Sequence, residues 1–220
     1  MKKIVLILFV FACYLSLDAQ TLRFTAGTSF SKLDWKYIGE AGEEKQYEDP
    51  VTSYSFLAGM EYLEHKYYSL SSDLLMYKSG GQYSEQELNS NFIFVSPEKI
   101  SLSYLSFGTS FNFNPVNNKF RLQLSLGPRV DYIVSGSKES PYDWIDQRDG
   151  LNKFNFGITA GIGFYYYMEK YILGINSQYL NRMKKLADLQ PSENPGLSYG
   201  GVEATEQIFL LGISFGYRIQ

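Results

Sequence analysis

The strongest constraint on this chain is a period-two alternation of apolar with small or polar residues that returns segment after segment. Leu22, Phe24, Ala26, Thr28 and Phe30 fall on one face of the first segment, and Arg23, Thr25, Gly27, Ser29 and Ser31 on the other. Such alternation is that of a strand with one apolar face. The same pattern recurs over Tyr54–Leu63, Tyr68–Met76, Leu105–Phe113, Phe120–Val134, Phe156–Tyr166, Tyr171–Tyr179 and Phe209–Ile219. From Thr21 onward no run of 18 apolar residues occurs, so no helical membrane span is expected. Pro128 lies on the apolar face of the fifth segment and predicts a bulge there, because proline brings no N–H to the ladder.

The eight segments are joined by connections that alternate in length. Glu64–Lys66, Asn114–Lys119 and Glu169–Lys170 are short. The long ones run from about Tyr37 to Val51, Ser79 to Lys99, Gly136 to Lys153 and Met183 to Thr205, and are polar. An even strand count with short turns at one rim and long loops at the other predicts an all-β fold: an eight-stranded antiparallel up-and-down transmembrane β-barrel. Both termini then lie on the short-turn, periplasmic side.

Alternation alone does not say which face meets solvent. A soluble ligand-binding barrel turns its apolar face inward, and a membrane barrel turns it outward. The opposite face here is rich in Gly and Ser, which suits the narrow lumen of a small barrel. Aromatic residues form 17% of the chain, and many stand near segment ends: Tyr54, Tyr62, Tyr68, Phe113, Phe120, Tyr132, Tyr166, Tyr171, Tyr179 and Tyr217. That is where interfacial girdles belong. Both features favour a membrane barrel surrounded by outer-membrane lipid. The lumen face then carries Arg23, Glu61, Asp73, Arg121, Arg129, Asp131 and Arg218. Both signs are present, so these residues form a candidate ion-pair network filling the barrel, with a substrate site as the alternative.

The first residues read as a secretory signal: Met1-Lys2-Lys3, then the apolar run Ile4–Ala12, then Leu17-Asp18-Ala19. Cleavage after Ala19 divides the chain into a signal peptide, 1–19, and a barrel domain, 20–220. A lipoprotein-type site at Cys13 is the rival reading. With cleavage, no cysteine remains, and thiol chemistry and Cys-ligated metals are excluded.

The mature sequence resembles the PorT-like outer-membrane β-barrel family of Gram-negative bacteria. The carriers are Arg23-Phe-x-Ala-Gly27, Asp73-Leu-Leu-Met-Tyr-Lys-Ser-Gly-Gly81, Leu126-Gly-Pro128, Phe156-Gly-Ile-Thr-Ala-Gly-Ile-Gly163 and the closing Gly216-Tyr-Arg-Ile219. The chain departs from the family pattern at Tyr104-Leu-Ser-Phe107, where Ile-Pro often follows the Tyr-Leu, and in ending on Ile219-Gln220 rather than an aromatic residue. The resemblance implies a barrel in the outer membrane, and the family's best-known member supports a protein-secretion system.

No enzyme constellation is legible. The single histidine, His65, sits in a short turn, where solvation is the ordinary state. One histidine and no mature cysteine leave only carboxylates for a metal, and the acidic stretch Glu40–Asp49 lacks the spacing of a calcium loop. Asp188 and Glu193 in the last long connection read as solvated loop residues in the same way. No cofactor is expected. The net charge of −3 points to no nucleic acid. Function is expected in the long loops, where Tyr142 and Trp144 form a candidate contact for another envelope protein or an outside partner, with Trp35 nearby. A role as accessory to a secretion complex stays open beside it.

Overall fold

The alternating segments form strands, and the strands close on themselves. The structure is a computed structural model that describes residues 19–39, 42–46, 49–82, 99–138, 152–189 and 201–219. The elements are β1 (Ala19–Gly39), β2 (Gly42–Gln46), β3 (Asp49–Tyr62), β4 (Tyr68–Gln82), β5 (Lys99–Asn117), β6 (Phe120–Lys138), β7 (Phe154–Met168), β8 (Tyr171–Arg182), β9 (Ala187–Leu189) and β10 (Gly201–Arg218). Eight long strands pair antiparallel in the order β1-β3-β4-β5-β6-β7-β8-β10, and β10 returns to β1 from Thr21↔Arg218 to Ile38↔Gly201. Closure leaves none of the eight long strands as a sheet edge, which the hydrocarbon of a bilayer would not tolerate. The short β2 continues the pairing of β1 beyond β3, and β9 that of β10 beyond β8.

The ladder is sheared. Followed from Leu70 through Phe111, Leu126, Ala160, Tyr179 and Phe209, paired residues arrive on β1 at Phe30, whereas Leu70's other partner, Tyr62, pairs with Ala19. This offset is the strand tilt of a closed barrel. Rows of paired residues therefore climb the wall as a spiral.

The apolar face points outward. Phe24 is 57% exposed and Ile213 69%, while Arg23 between two outward residues is 7% exposed. The apolar surface is far too extensive for water and fits lipid. The girdles are in place at both ends of the band: Tyr68, Phe113, Phe120, Tyr166, Tyr171 and Tyr217 by the short turns, and Tyr54, Tyr132 and Tyr179 by the long connections. Tyr171 to Tyr179 spans about 26 Å of strand, or about 20 Å along the membrane normal at a tilt near 40°, close to the ~25 Å apolar band of such barrels.

Two expectations are corrected. Pro128 makes no bulge: Gly108↔Arg129 and Phe111↔Leu126 on either side of it keep one register. The missing N–H costs a ladder bond without adding a residue. The irregularities of β5 lie instead at Ser103/Tyr104 and Phe113/Val116. The long connections are also shorter than the sequence suggests, because β1, β4, β5, β6 and β10 run past the girdle as paired strand. Beyond lipid the outward face turns polar and the apolar residues of the alternation, such as Leu33, Trp35, Ile100 and Leu102, turn inward. Residues 1–18 of the expected signal, Tyr142, Trp144, Glu193 and part of the acidic stretch lie outside the described residues, while Ala19 opens β1.

Candidate functional site

The inward face is where the chain concentrates its charge. Near the short-turn rim, Arg121 Nη1 is 2.9 Å from Glu61 Oε1, and its Nη2 is 3.3 Å from Glu64 Oε2. Ser69 and Gln123 also donate to Glu61. Arg23 faces Asp73 at 3.4 Å and donates to Gln123 Oε1 (3.0 Å) and Tyr165 Oη (3.1 Å). The Arg121 guanidinium lies over the Tyr167 ring, 4.4 Å from its centroid. With Arg218 reaching Glu64 at 3.7 Å, three arginines balance three carboxylates. Arg218 differs from the rest: its side chain is 39% exposed and belongs to the rim rather than the lumen.

A second charged layer lies toward the long connections. Arg129 is 3.1 Å from Asp131, and Arg182 lies 2.6 Å from Glu206 and 3.7 Å from the other oxygen of Asp131. Tyr104 donates to Glu206 at 3.1 Å, Arg182 donates to Tyr77 at 3.3 Å, and the two tyrosine rings stack 4.9 Å apart. Two arginines again balance two carboxylates. A buried ion left alone would cost several kcal/mol, so neutrality layer by layer is what allows charge in this interior. The ladder prepares these positions. Arg23, Gly59, Asp73, Gly108, Arg129, Gly157 and Arg182 are successive partners along one row of the spiral. Charged residues alternate with glycine along it, and each glycine leaves room for a neighbour's long side chain. A Cβ on Gly157 would sit 3.1 Å from Arg129 Nε, for example.

The lumen is not wholly polar, which corrects the expectation of an ion-pair plug alone. Leu33, Trp35, Leu102, Leu180, Leu186 and Ile208 belong to one buried apolar cluster that extends toward the long-connection mouth. After β8 the chain steps inward at 183–186. Asn155 brackets the backbone of Lys184, the Leu186 N–H donates to Ala204 O (2.7 Å), and Lys185 Nζ is 2.7 Å from Glu203. Leu186 is thereby set into the mouth cluster. Trp35, expected beside the loops, is buried here. Cavities of about 10 Å³ remain, one beside Arg23 and Glu61 in the lower layer and another lined by Ser71, Ser110, Asn112, Ser125, Asn176 and Gln178. Each has room for about one water.

All seven charged residues named from the sequence face inward or onto the rim. Glu64, Arg182 and Glu206 were missed. Glu64 stands in a turn yet folds under the barrel to accept from Thr21 (2.7 Å). Arg182 and Glu206 sit in strand ends that fall between the alternating segments and the connection from Met183 to Thr205. Their parity with Leu180 and Ile208 was the available signal. His65 is exposed, its ring 4.6 Å from Tyr68. Among the described residues no group of three His, Cys, Asp or Glu side chains could hold a metal ion.

A solved structure shares this architecture. OprG of Pseudomonas aeruginosa, an outer membrane protein, superposes with a TM-score of 0.56 at 12% identity over 91% of this chain and 97% of its own. Neisserial surface protein A aligns at 10% identity over 90% of this chain and 97% of its own, with a TM-score of 0.43. No curated protein matches the sequence. Residues 19–180 match the outer membrane protein β-barrel domain. With a closed barrel, an outward apolar band and a neutral, filled lumen, the chain belongs to the outer membrane protein β-barrel domain family and is a small barrel of the bacterial outer membrane.

Proposed function

We propose that this barrel is a non-enzymatic scaffold whose long extracellular connections carry an interaction with another envelope protein or an outside partner. The observation that carries this reading is the filled lumen. Among the described residues, two neutral ion-pair layers and an apolar cluster leave cavities of about 10 Å³, too small for a solute to pass. What remains for recognition is the outer surface. β1, β5, β6 and β10 extend beyond the girdle and hold the connections on a rigid wall, as recognition loops require. Tyr142 and Trp144 are the proposed contact residues. Residues 1–19 are the proposed secretion signal, with Gln20 as the first mature residue. Shortening 139–151, or Tyr142→Ala with Trp144→Ala, should leave heat-modifiable migration intact and abolish partner capture by cross-linking on whole cells. Capture that survives both changes would remove this reading.

A second reading is an accessory barrel of a protein-secretion complex. It rests on the PorT-like pattern carried by β1, β4, β6, β7 and β10. Co-purification of secretion components after mild detergent extraction, lost on changing the periplasmic turn Glu64–Lys66, would favour it over the first.

A further inference from the structure

The three short turns share a feature that neither the lumen nor the loops use. Each carries a lysine followed directly by an aromatic residue at the start of the next strand: Lys119-Phe120 and Lys170-Tyr171, whose rings open β6 and β8, and Lys66-Tyr67, one residue before β4. All three lysines are exposed, and among the described residues none enters an ion pair. The aromatic partners are exposed too, with Phe120 at 68%. The Lys66 ammonium lies 5.1 Å from the centroid of the Tyr67 ring. Phe120 packs on Tyr166 at 5.0 Å, and Tyr171 on Tyr217 at 5.8 Å, so two of the three motifs run into the girdle.

The acids of this rim are arranged differently. Glu64 is folded inward onto Thr21, Arg121 and Arg218 and is withdrawn from the surface. Among the described side chains of the turns, Glu169 alone is an exposed acid. The rim therefore presents positive charge just below an aromatic belt. The β3–β4, β5–β6 and β7–β8 turns lie two strands apart, about 10 Å across the sheet at ~4.8 Å per strand. Arg218, whose N–H donates to Lys170 O at 2.8 Å, extends the ring toward β1. The cations therefore stand on successive sides of a closed cylinder. A docked protein would meet one side. A lipid leaflet meets every side at one depth.

We propose that these Lys–aromatic turns bind the phosphate groups of anionic phospholipids in the periplasmic leaflet, with each ring set at the interface and each ammonium at headgroup level. The ring of contacts fixes the depth of the barrel from its short-turn end.

The test uses the full mature chain refolded into phosphatidylcholine vesicles that contain spin-labelled phosphatidylglycerol or spin-labelled phosphatidylcholine. The relative association of the two labelled lipids with the barrel is read by electron paramagnetic resonance. One lysine near an anionic surface is worth about fivefold in association. The native protein should favour phosphatidylglycerol by at least about that factor. The variant Lys66→Gln/Lys119→Gln/Lys170→Gln should lose most of the preference, and the corresponding Lys→Arg triple should keep it. Heat-modifiable migration establishes that each variant is folded, and should be unchanged because the three side chains make no ion pair among the described residues. A preference unchanged in the glutamine triple, or lost in the arginine triple, overturns the proposal. So does a native preference that persists undiminished in 1 M salt, where the screening length is about 3 Å.

Discussion

Asp73 lies directly across the ladder from Gly59, and its carboxylate occupies the space that a Cβ on that glycine would fill. Any side chain at this glycine displaces the anion that faces Arg23 at 3.4 Å. The relationship shows how a narrow barrel makes room for charge: the partner strand gives up its side chain.

Gly59→Ala should therefore destabilise the barrel by about 1–3 kcal/mol, the usual cost of overpacking a filled interior. Ala58→Gly, one residue away on the lipid face, should cost less than about 1 kcal/mol. Urea unfolding in vesicles checks both. Equal effects would mean that Asp73 can move freely.

The upper charged layer predicts a non-additive pair. Arg182→Met leaves Glu206 and Asp131 short of a cation and should cost about 3–5 kcal/mol. Adding Glu206→Gln should recover part of that loss, because the remaining Arg129–Asp131 pair is neutral. A double-mutant cycle on unfolding free energies reads the coupling.

The facing of β6 can be checked at adjacent residues. Leu124 is 42% exposed on the lipid side, and Leu124→Arg should cost about 2–4 kcal/mol near the midplane. Ser125 lines an inner cavity, and Ser125→Ala should cost under about 1 kcal/mol. Similar losses at both positions would contradict the observed alternation.

Planar bilayers containing the pure protein should show no steady porin-like conductance. The apolar cluster around Leu33, Leu180 and Ile208 and the ion pairs beneath it fill the cross-section. Leu33→Ser/Ile208→Ser should admit water to the mouth while the lower layer keeps large conductance from appearing.

The strap at 183–186 has its own pH response. The Lys185 ammonium, 2.7 Å away, holds the Glu203 carboxyl below its ordinary range. A lowered folded-state value means a stabilising contribution that is complete above the unfolded carboxyl pKa and is lost as pH falls through the folded one. The Glu203 side-chain resonance should titrate below the ordinary carboxylate range, and Lys185→Gln should return it toward that range.

The alternation of Leu22 to Ser31 and its successors was enough to fix strand type, strand number and the residues sharing each face, because period two is a local property of an extended backbone. Turn lengths settled that Glu64–Lys66 and Glu169–Lys170 lie at one rim. The girdle tyrosines were legible for the same reason: they end apolar runs. Outside the bilayer that signal disappears. Arg182 and Glu206 lie in paired strand on the inward face with Leu180 and Ile208, but beyond the outward apolar runs that end at Tyr179 and begin at Phe209.

Sequence alone also gathered Arg23, Glu61, Asp73, Arg121, Arg129 and Asp131 on one inward surface. Which of them meet was decided only by closure. Arg121 reaches Glu61 across the lumen from a strand that does not border it, and Arg23 reaches Asp73 over the intervening Gly59. These pairings depend on the shear of the ladder and on where β10 returns to β1, which no single segment encodes. The apolar mouth was decided the same way. Leu33, Leu180, Leu186 and Ile208 come from strands and a strap far apart in the chain, and they become one cluster only when the wall brings their inward faces within reach of each other.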